Sequence, residues 1–162
     1  METSLELVIF IGLQAAGKST FFCQYFAATH EHISKDLMRN NKNRARRQAQ
    51  LIESALQTER SVVVDNTNPT AEERASLIEL GTLYGAQIIG YYFQSQVKYS
   101  LERNQQRSGK DRVPDVAIYA TIKKLVPPTY AEGFQRLFYV RPVGNCDFEV
   151  RPWIEGDITH GA

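Results

Sequence analysis

The chain has little with which to cross-link itself: its 162 residues include two cysteines, Cys23 and Cys146. They lie far apart, with neither CxxC nor Cys/His ligand spacing, so neither a disulfide framework nor a structural zinc site is expected. Charge of one sign is also missing. Nineteen Lys and Arg against 18 Asp and Glu leave a formal net charge of +1, so attraction to a polyanion must come from local clusters. The apolar run Leu5 to Ile11 is too short for a signal peptide or a membrane span, and Met1-Glu2-Thr3-Ser4 lacks a basic n-region. A cytoplasmic protein with reduced thiols and no membrane contact is expected. Internal repeats and low-complexity segments are absent as well.

What is present suffices for a buried core. Hydrophobic residues make up 43% and charged residues 23%, ordinary values for a globular chain of this size. A single domain over residues 1–156 is expected, with 157–162 a loose tail. Leu5 to Ile11 reads as a central parallel strand buried on both faces. Ser19 to Ala28 then reads as a helix whose Phe21, Phe22, Tyr25 and Phe26 pack against a sheet. A short strand at His32-Ile33-Ser34 precedes a helix over 43–59, basic at its start. Ser61 to Asp65 is the next buried strand. Thr70-Ala71-Glu72-Glu73 supplies a capping box, and Gly85 stops the helix it opens. Ala86 to Phe93 is a further strand, and Gln96 to Arg107 a helix. Ser108 to Pro114 is a polar loop, and Asp115 is expected to cap a helix running to Leu125. Leu137 to Val140 and Phe148 to Val150 close the pattern around a Gly144-Asn145 turn.

Strands alternating with helices imply right-handed crossovers and an α/β fold, three αβα layers around a mostly parallel sheet. Ligands in such folds sit at the carboxyl ends of strands, where Gly12, Asp36 and Asp65 fall.

Gly12-Leu13-Gln14-Ala15-Ala16-Gly17-Lys18-Ser19 matches GxxxxGK[ST] in full, between a strand and a helix. Gly12 and Gly17 permit backbone geometry that a Cβ would block, so that successive amides point at phosphate oxygens. Lys18 supplies a cation for the β and γ phosphates of ATP, and Ser19 a hydroxyl for Mg²⁺. Asp65 stands where a Walker B acid orders the Mg²⁺ shell, directly or through water. The competing reading of Asp65 is a strand-end aspartate that caps its own turn. Phosphoryl transfer also needs a base for the attacking hydroxyl, and Asp36, flanked by Lys35 and Arg39, is the natural choice. Arg39, Lys42, Arg44, Arg46 and Arg47 place five cations in nine residues. Most charge runs are solvated surface, but cations oppose the macrodipole at a helix N-terminus, so their concentration there points to an anionic ligand. A second group, Arg103, Arg107, Lys110 and Arg112, surrounds Ser108-Gly109; composition leaves a mobile lid and an ordinary exposed loop equally open.

These motifs together resemble the kinase domain of polynucleotide 5′-kinases, found in the phage enzyme and in the kinase half of animal polynucleotide kinase/phosphatases. The resemblance runs through Gly12 to Phe21 and Ile33-Ser34-Lys35-Asp36. It is closest at Val64-Asp65-Asn66-Thr67-Asn68-Pro69, then resumes at Arg103-Asn104, Arg107, Val113-Pro114 and Pro128 to Phe134. It departs at Ser34-Lys35-Asp36, where the family has Asn-Arg-Asp, and across 37–64. The resemblance implies a small helical lid and an ATP site formed by Gly12, Gln14, Ala15, Ala16, Gly17, Lys18, Ser19 and Thr20 with Arg103 and Arg107. It implies that Asp36 is the base on a 5′-hydroxyl, that Arg39 grips the adjacent phosphate, and that Asn66 and Thr67 lie along the substrate. Arg107 would be the lid arginine on the donor phosphates, and Arg103 would support Asp65 or the lid. Lys18, Asp36 and Arg107 would carry catalysis. The aspartate signature of a phosphatase is absent, so a kinase module alone is expected, acting on the 5′-OH end of DNA or RNA with repair or ligase partners. The alternatives are a small-molecule kinase acting on a sugar, nucleoside or cofactor alcohol, and an ATP-binding or ATPase module that works with a partner.

Overall fold

Strand β1, Glu6–Ile11, divides its side chains between two cores. Leu7, Ile9 and Ile11 join Val62, Val64 and Ile88 on one side, while Val8 and Phe10 join Val63, Ile89 and Phe93 on the other. Alternation along a strand enforces this division, and burial on both faces accounts for the unbroken apolar run. The computed structural model describes residues 4–38, 42–144 and 146–155.

Around β1 the sheet grows in both directions. It pairs in parallel with β3, Val62–Asp65, and with β4, Gln87–Phe93. Beyond β3 lies β2, Glu31–Ile33, and beyond β4 lies β5, Arg136–Val143, both also parallel. Only β6, Asp147–Pro152, runs antiparallel, giving the order β2-β3-β1-β4-β5-β6. The closing strands are thus longer than the sequence predicts, and of the expected turn only Gly144 is described, with φ of 65°.

Helix α1, Lys18–Tyr25, covers one face through Phe21 and Phe22, with Phe26 just past its end. It is shorter than predicted, and Tyr25, expected in the core, is exposed while its ring leans on Phe21. The other face is covered by α2, Arg44–Gln57, α3, Ala71–Leu83, and α5, Asp115–Lys124, with Leu101 of α4, Val97–Gln106, at the margin. The result is the expected three-layer αβα fold. Among the described residues no helix is long and apolar enough to cross a membrane.

Helix ends follow local chemistry. The Asn43 side chain accepts from the Arg46 amide at 3.1 Å and Thr70 Oγ1 from the Glu73 amide at 3.2 Å, each satisfying a first-turn donor. Past α3, Gly85 adopts φ of 75° and the Ala86 amide reaches back to the Gly81 carbonyl at 3.0 Å, a Schellman termination. At α5 the expectation fails: Pro114, extended at φ −61° and ψ 140°, takes the capping position, and Asp115 is the first helical residue. Proline has no amide hydrogen to orphan there, and Asp115 still places its carboxylate in the first turn.

One polar clamp holds the strand-end loops. Arg74 of α3 is fully buried; its Nε and Nη2 donate to the two Glu132 carboxylate oxygens at 2.8 and 3.1 Å. Its Nη1 donates to the Asn68 and Val126 carbonyls, both at 3.0 Å. Asn68, at φ of 43°, sends its side-chain amide to the Phe10 carbonyl at 2.8 Å. The Pro128 to Phe134 segment therefore serves structure: Glu132 closes a capping box with Thr129 and pairs with Arg74, while Phe134 is buried beside Gly90.

Candidate active site

Because β1 to β4 are mutually parallel, their carboxyl ends open on one edge, and β1 lies where the chain order reverses. The loop from Gly12 to Gly17 leaves β1 there and turns into α1. A Cβ at Gly12 would meet Phe93 Cβ at 3.0 Å and Ser95 Oγ at 3.3 Å, so the loop lies directly on the end of β4. Gly17 adopts φ of 94°, and Ala15 also takes a left-handed conformation at 59°. The start of α1 has neither a side-chain cap nor an acidic residue in its first turn. Its first-turn amides lack intrahelical partners, so the helix presents an uncompensated positive end, which suits a phosphate.

Lys18 is buried, and its ammonium donates to the Gly12 and Leu13 carbonyls at 2.9 and 2.6 Å. Burial lowers its pKa from 10.5 to about 8, opposed by the Asp65 carboxylate, reinforced by the Arg107 guanidinium and opposed again by Asp36. These four groups therefore share one electrostatic neighbourhood, and all line a cleft of about 860 Å³. Lys18 and Arg107 place two cations beside the phosphate loop, where nucleotide phosphates would sit.

Asp65 ends β3 and is buried. Its Oδ2 accepts from Ser19 Oγ at 2.9 Å and from His32 Nε2 at 2.7 Å, so it reaches across the sheet edge rather than capping its own turn. A hydroxyl and a carboxylate side by side are hard oxygen donors of the kind Mg²⁺ takes from a protein when phosphates and water complete its shell. Ser19 and Asp65 would hold it.

Asp36 lies exposed in a single 3₁₀ turn, Lys35–Met38, after β2. The turn is anchored by Asn66, whose Oδ1 accepts from the Lys35 amide at 2.9 Å and whose Nδ2 donates to Gln48 Oε1 at 2.6 Å. Asn66 thus lines the cleft while its amide is engaged inside the protein, placing the turn that carries Asp36. Thr67 also lines the cleft, and its carbonyl accepts from the Gly12 amide at 3.0 Å. Arg39 lies outside the described residues. Of the basic run around it, Arg44 reaches the cleft wall.

Gln14 donates to Thr121 Oγ1 of α5 at 3.0 Å, joining the loop to the helix pair that carries Arg107. That pair forms the small lid: α4 and α5 enclose the 3₁₀ turn Gly109–Asp111, and buried Asn104 both donates to the Val113 carbonyl and accepts from its amide. Arg103, expected at the ATP loop and in support of Asp65 or the lid, is carried by α4. It lies on the opposite shoulder of the loop from Asp65, donating to the Ala15 carbonyl at 3.4 Å, because α4 follows β4 and not β3. There it lines a second cavity of about 270 Å³ with Gln94, Tyr99, Arg141 and the mid-loop residues Ala15 and Ala16. Thr20 is exposed on α1 and lines neither cavity.

Two contributors, His32 and Gln48, have no motif to announce them. Gln48 reads as a polar residue inside an amphipathic helix. His32 carries one signal: strand alternation sets it on the face opposite Ile33, toward α1.

A phosphate loop at the reversal point of a parallel sheet, a hydroxyl–carboxylate pair and a second carboxylate lining the same cleft define a P-loop nucleotide-binding protein of the phosphotransferase class. A family model described as an AAA domain matches residues 7–128, and the chain belongs to that family. The chain is 31% identical over 133 residues to the bifunctional polynucleotide phosphatase/kinase of Schizosaccharomyces pombe. That alignment takes in 80% of this chain and 32% of the relative, so the chain spans about a third of the relative's length. This likeness bears out the resemblance to polynucleotide kinases read from the motifs. Among solved structures, a chain of an RNA repair complex is similar with a TM-score of 0.61 at 24% identity, over 77% of this chain and 45% of that one. A gluconokinase from Sinorhizobium meliloti 1021 has the same TM-score of 0.61 at 17% identity, over 90% of this chain and 87% of its own. At these identities the likeness is one of fold.

Proposed function

We propose that this chain is an ATP- and Mg²⁺-dependent kinase acting on the 5′-hydroxyl end of DNA or RNA. The observation that carries the reading is the cleft itself, which gathers Asp36, Lys18, Ser19, Asp65 and Arg107 and is bordered by Arg44 from a basic helix start. ATP with Mg²⁺ would supply an activated phosphoryl group at the loop. Asp36 orients the acceptor hydroxyl and takes its proton, and its exposure lets the product acid re-equilibrate with water. Lys18 and Arg107 place two positive charges where negative charge accumulates during transfer. Asn66 and Gln48 hold the Asp36 turn in register with the loop. Arg44, and by resemblance Arg39, provide for the backbone phosphate next to the reacting end. A 5′-phosphate is what a joining reaction requires, so repair or ligase partners would follow this step, and the relative from fission yeast and the repair-complex chain support that setting.

Transfer of label from ATP to a panel of acceptors tests this. An oligonucleotide with a 5′-hydroxyl should far exceed a nucleoside, and Asp36→Asn should abolish transfer while leaving ATP binding intact. The similar fold of a gluconokinase keeps one rival alive, a kinase of small alcohols. Equal use of nucleoside and oligonucleotide would favour that rival, and retained activity in Asp36→Asn would show that the base is another group.

A further inference from the structure

His32 stands between two fixed neighbours. Its ring stacks on Phe22 of α1 with centroids 4.1 Å apart and planes 16° from parallel. Its Nε2 lies 2.7 Å from Asp65 Oδ2, the oxygen that also accepts from Ser19 Oγ at 2.9 Å. The carboxylate of Asp65 has no hydrogen to give, so both contacts are donations to it. Two donors on one oxygen fix the rotation of the carboxylate about its Cβ–Cγ bond. They also leave Oδ1 without a hydrogen-bond donor among the described residues. The Asp65 side chain is only 5% exposed, against 24% for His32, so bulk water is a poor substitute for either donor.

We infer that His32 is a positioning residue for the metal site: stacked on Phe22 and donating to Asp65 Oδ2, it commits that oxygen to the protein and presets Oδ1 for the cation. Ser19 alone leaves the carboxylate one point of attachment, about which it swings. His32 adds the second. The inference deepens the donor-site reading proposed above and is independent of which acceptor the protein uses.

The test separates stack from donor. His32→Phe keeps the aromatic stack and removes the donor, whereas His32→Gln keeps a nitrogen donor at similar reach and removes the ring. Mn²⁺ binding to the protein–ADP complex is followed by electron paramagnetic resonance, and ADP affinity is measured separately with the metal chelated. Loss of a hydrogen bond to a metal-ligating carboxylate weakens metal binding roughly ten- to hundredfold, which is the expected change for His32→Phe. Metal-free ADP affinity should stay as in the parent, and His32→Gln should recover most of the loss. His32→Leu, also donorless but smaller, is read the same way should the phenyl ring prevent folding. Unchanged Mn²⁺ affinity in the donorless variant overturns the inference. So does an equal loss of metal-free ADP binding, which marks a merely structural role, or a His32→Gln no better than His32→Phe. ADP binding by the parent protein that ignores metal altogether would instead remove the Mg²⁺ reading, a result distinct from these.

Discussion

At the scale of single residues the loop lysine has the most to give up on folding. Burial holds Lys18 down to about 8 from the ordinary 10.5. The unfolded chain therefore keeps this proton up to about pH 10.5, while the folded protein releases it near pH 8. Between those values the unfolded state binds more protons, so stability rises with pH across the window. The cost of burying the ammonium is complete below the folded pKa and is progressively relieved above it. Lys18→Met removes the group, so the variant should be the more stable one at the low end, and the gap should close as pH rises through the window. Urea unfolding of both proteins across that range checks it, and parallel curves would contradict the burial cost. The same variant should lose phosphoryl transfer. Fold stability and chemistry thus make opposite demands on this side chain, and a bound polyphosphate reconciles them by giving the cation a counter-charge.

Among the elements, the clamp from α3 to the 129–134 segment is the one whose failure should be felt furthest away. Arg74 has no exposure, and Glu132 supplies both carboxylate oxygens to it. Removing one partner of a buried pair strands the other charge and costs about 3–5 kcal/mol. Glu132→Ala should approach the lower end, since Glu132 retains 14% exposure. Chemical denaturation measures this, and a cost indistinguishable from zero would mean that Arg74 is satisfied by the Asn68 and Val126 carbonyls alone. This clamp also shows where sequence reading stops. The phosphate loop, the Thr70 cap and the Gly85 stop are legible because each signal lies within a few residues of its effect. The parallel sheet followed from apolar runs spaced by helices. Arg74–Glu132, His32–Asp65 and Asn66–Gln48 are pairings across distant segments, and no local period encodes them. The Pro128 to Phe134 segment was visible as a motif, but its duty in the clamp was not. Composition marks Asp115 as a cap, whereas the proline before it occupies the capping position.

For the whole molecule, a net charge of +1 offers no general attraction to a polyanion, so acceptor affinity must depend on few contacts. Arg44 makes no ion pair among the described residues and borders the cleft, which leaves its charge available to a phosphate. Oligonucleotide binding should weaken with added salt along a shallow slope, and Arg44→Ala should lower the slope of log K against log salt by about one. A slope unaltered by the substitution would place the contacting cation elsewhere. The nucleotide side of the molecule has a longer reach along the chain. Phe148 of β6 lies 3.1 Å from where a Cβ on Gly17 would stand, and its ring meets Phe21 edge-on at 5.2 Å. The phosphate loop is therefore buttressed by β6, the strand that follows it last in chain order. During synthesis the loop leaves the ribosome long before the residue that packs against it, and domains that emerge in this order complete their non-local contacts late. A nascent chain stalled before β6 would carry every residue of the loop without the aromatic support behind it, so the ability to retain nucleotide should appear only with the last strand of the sheet.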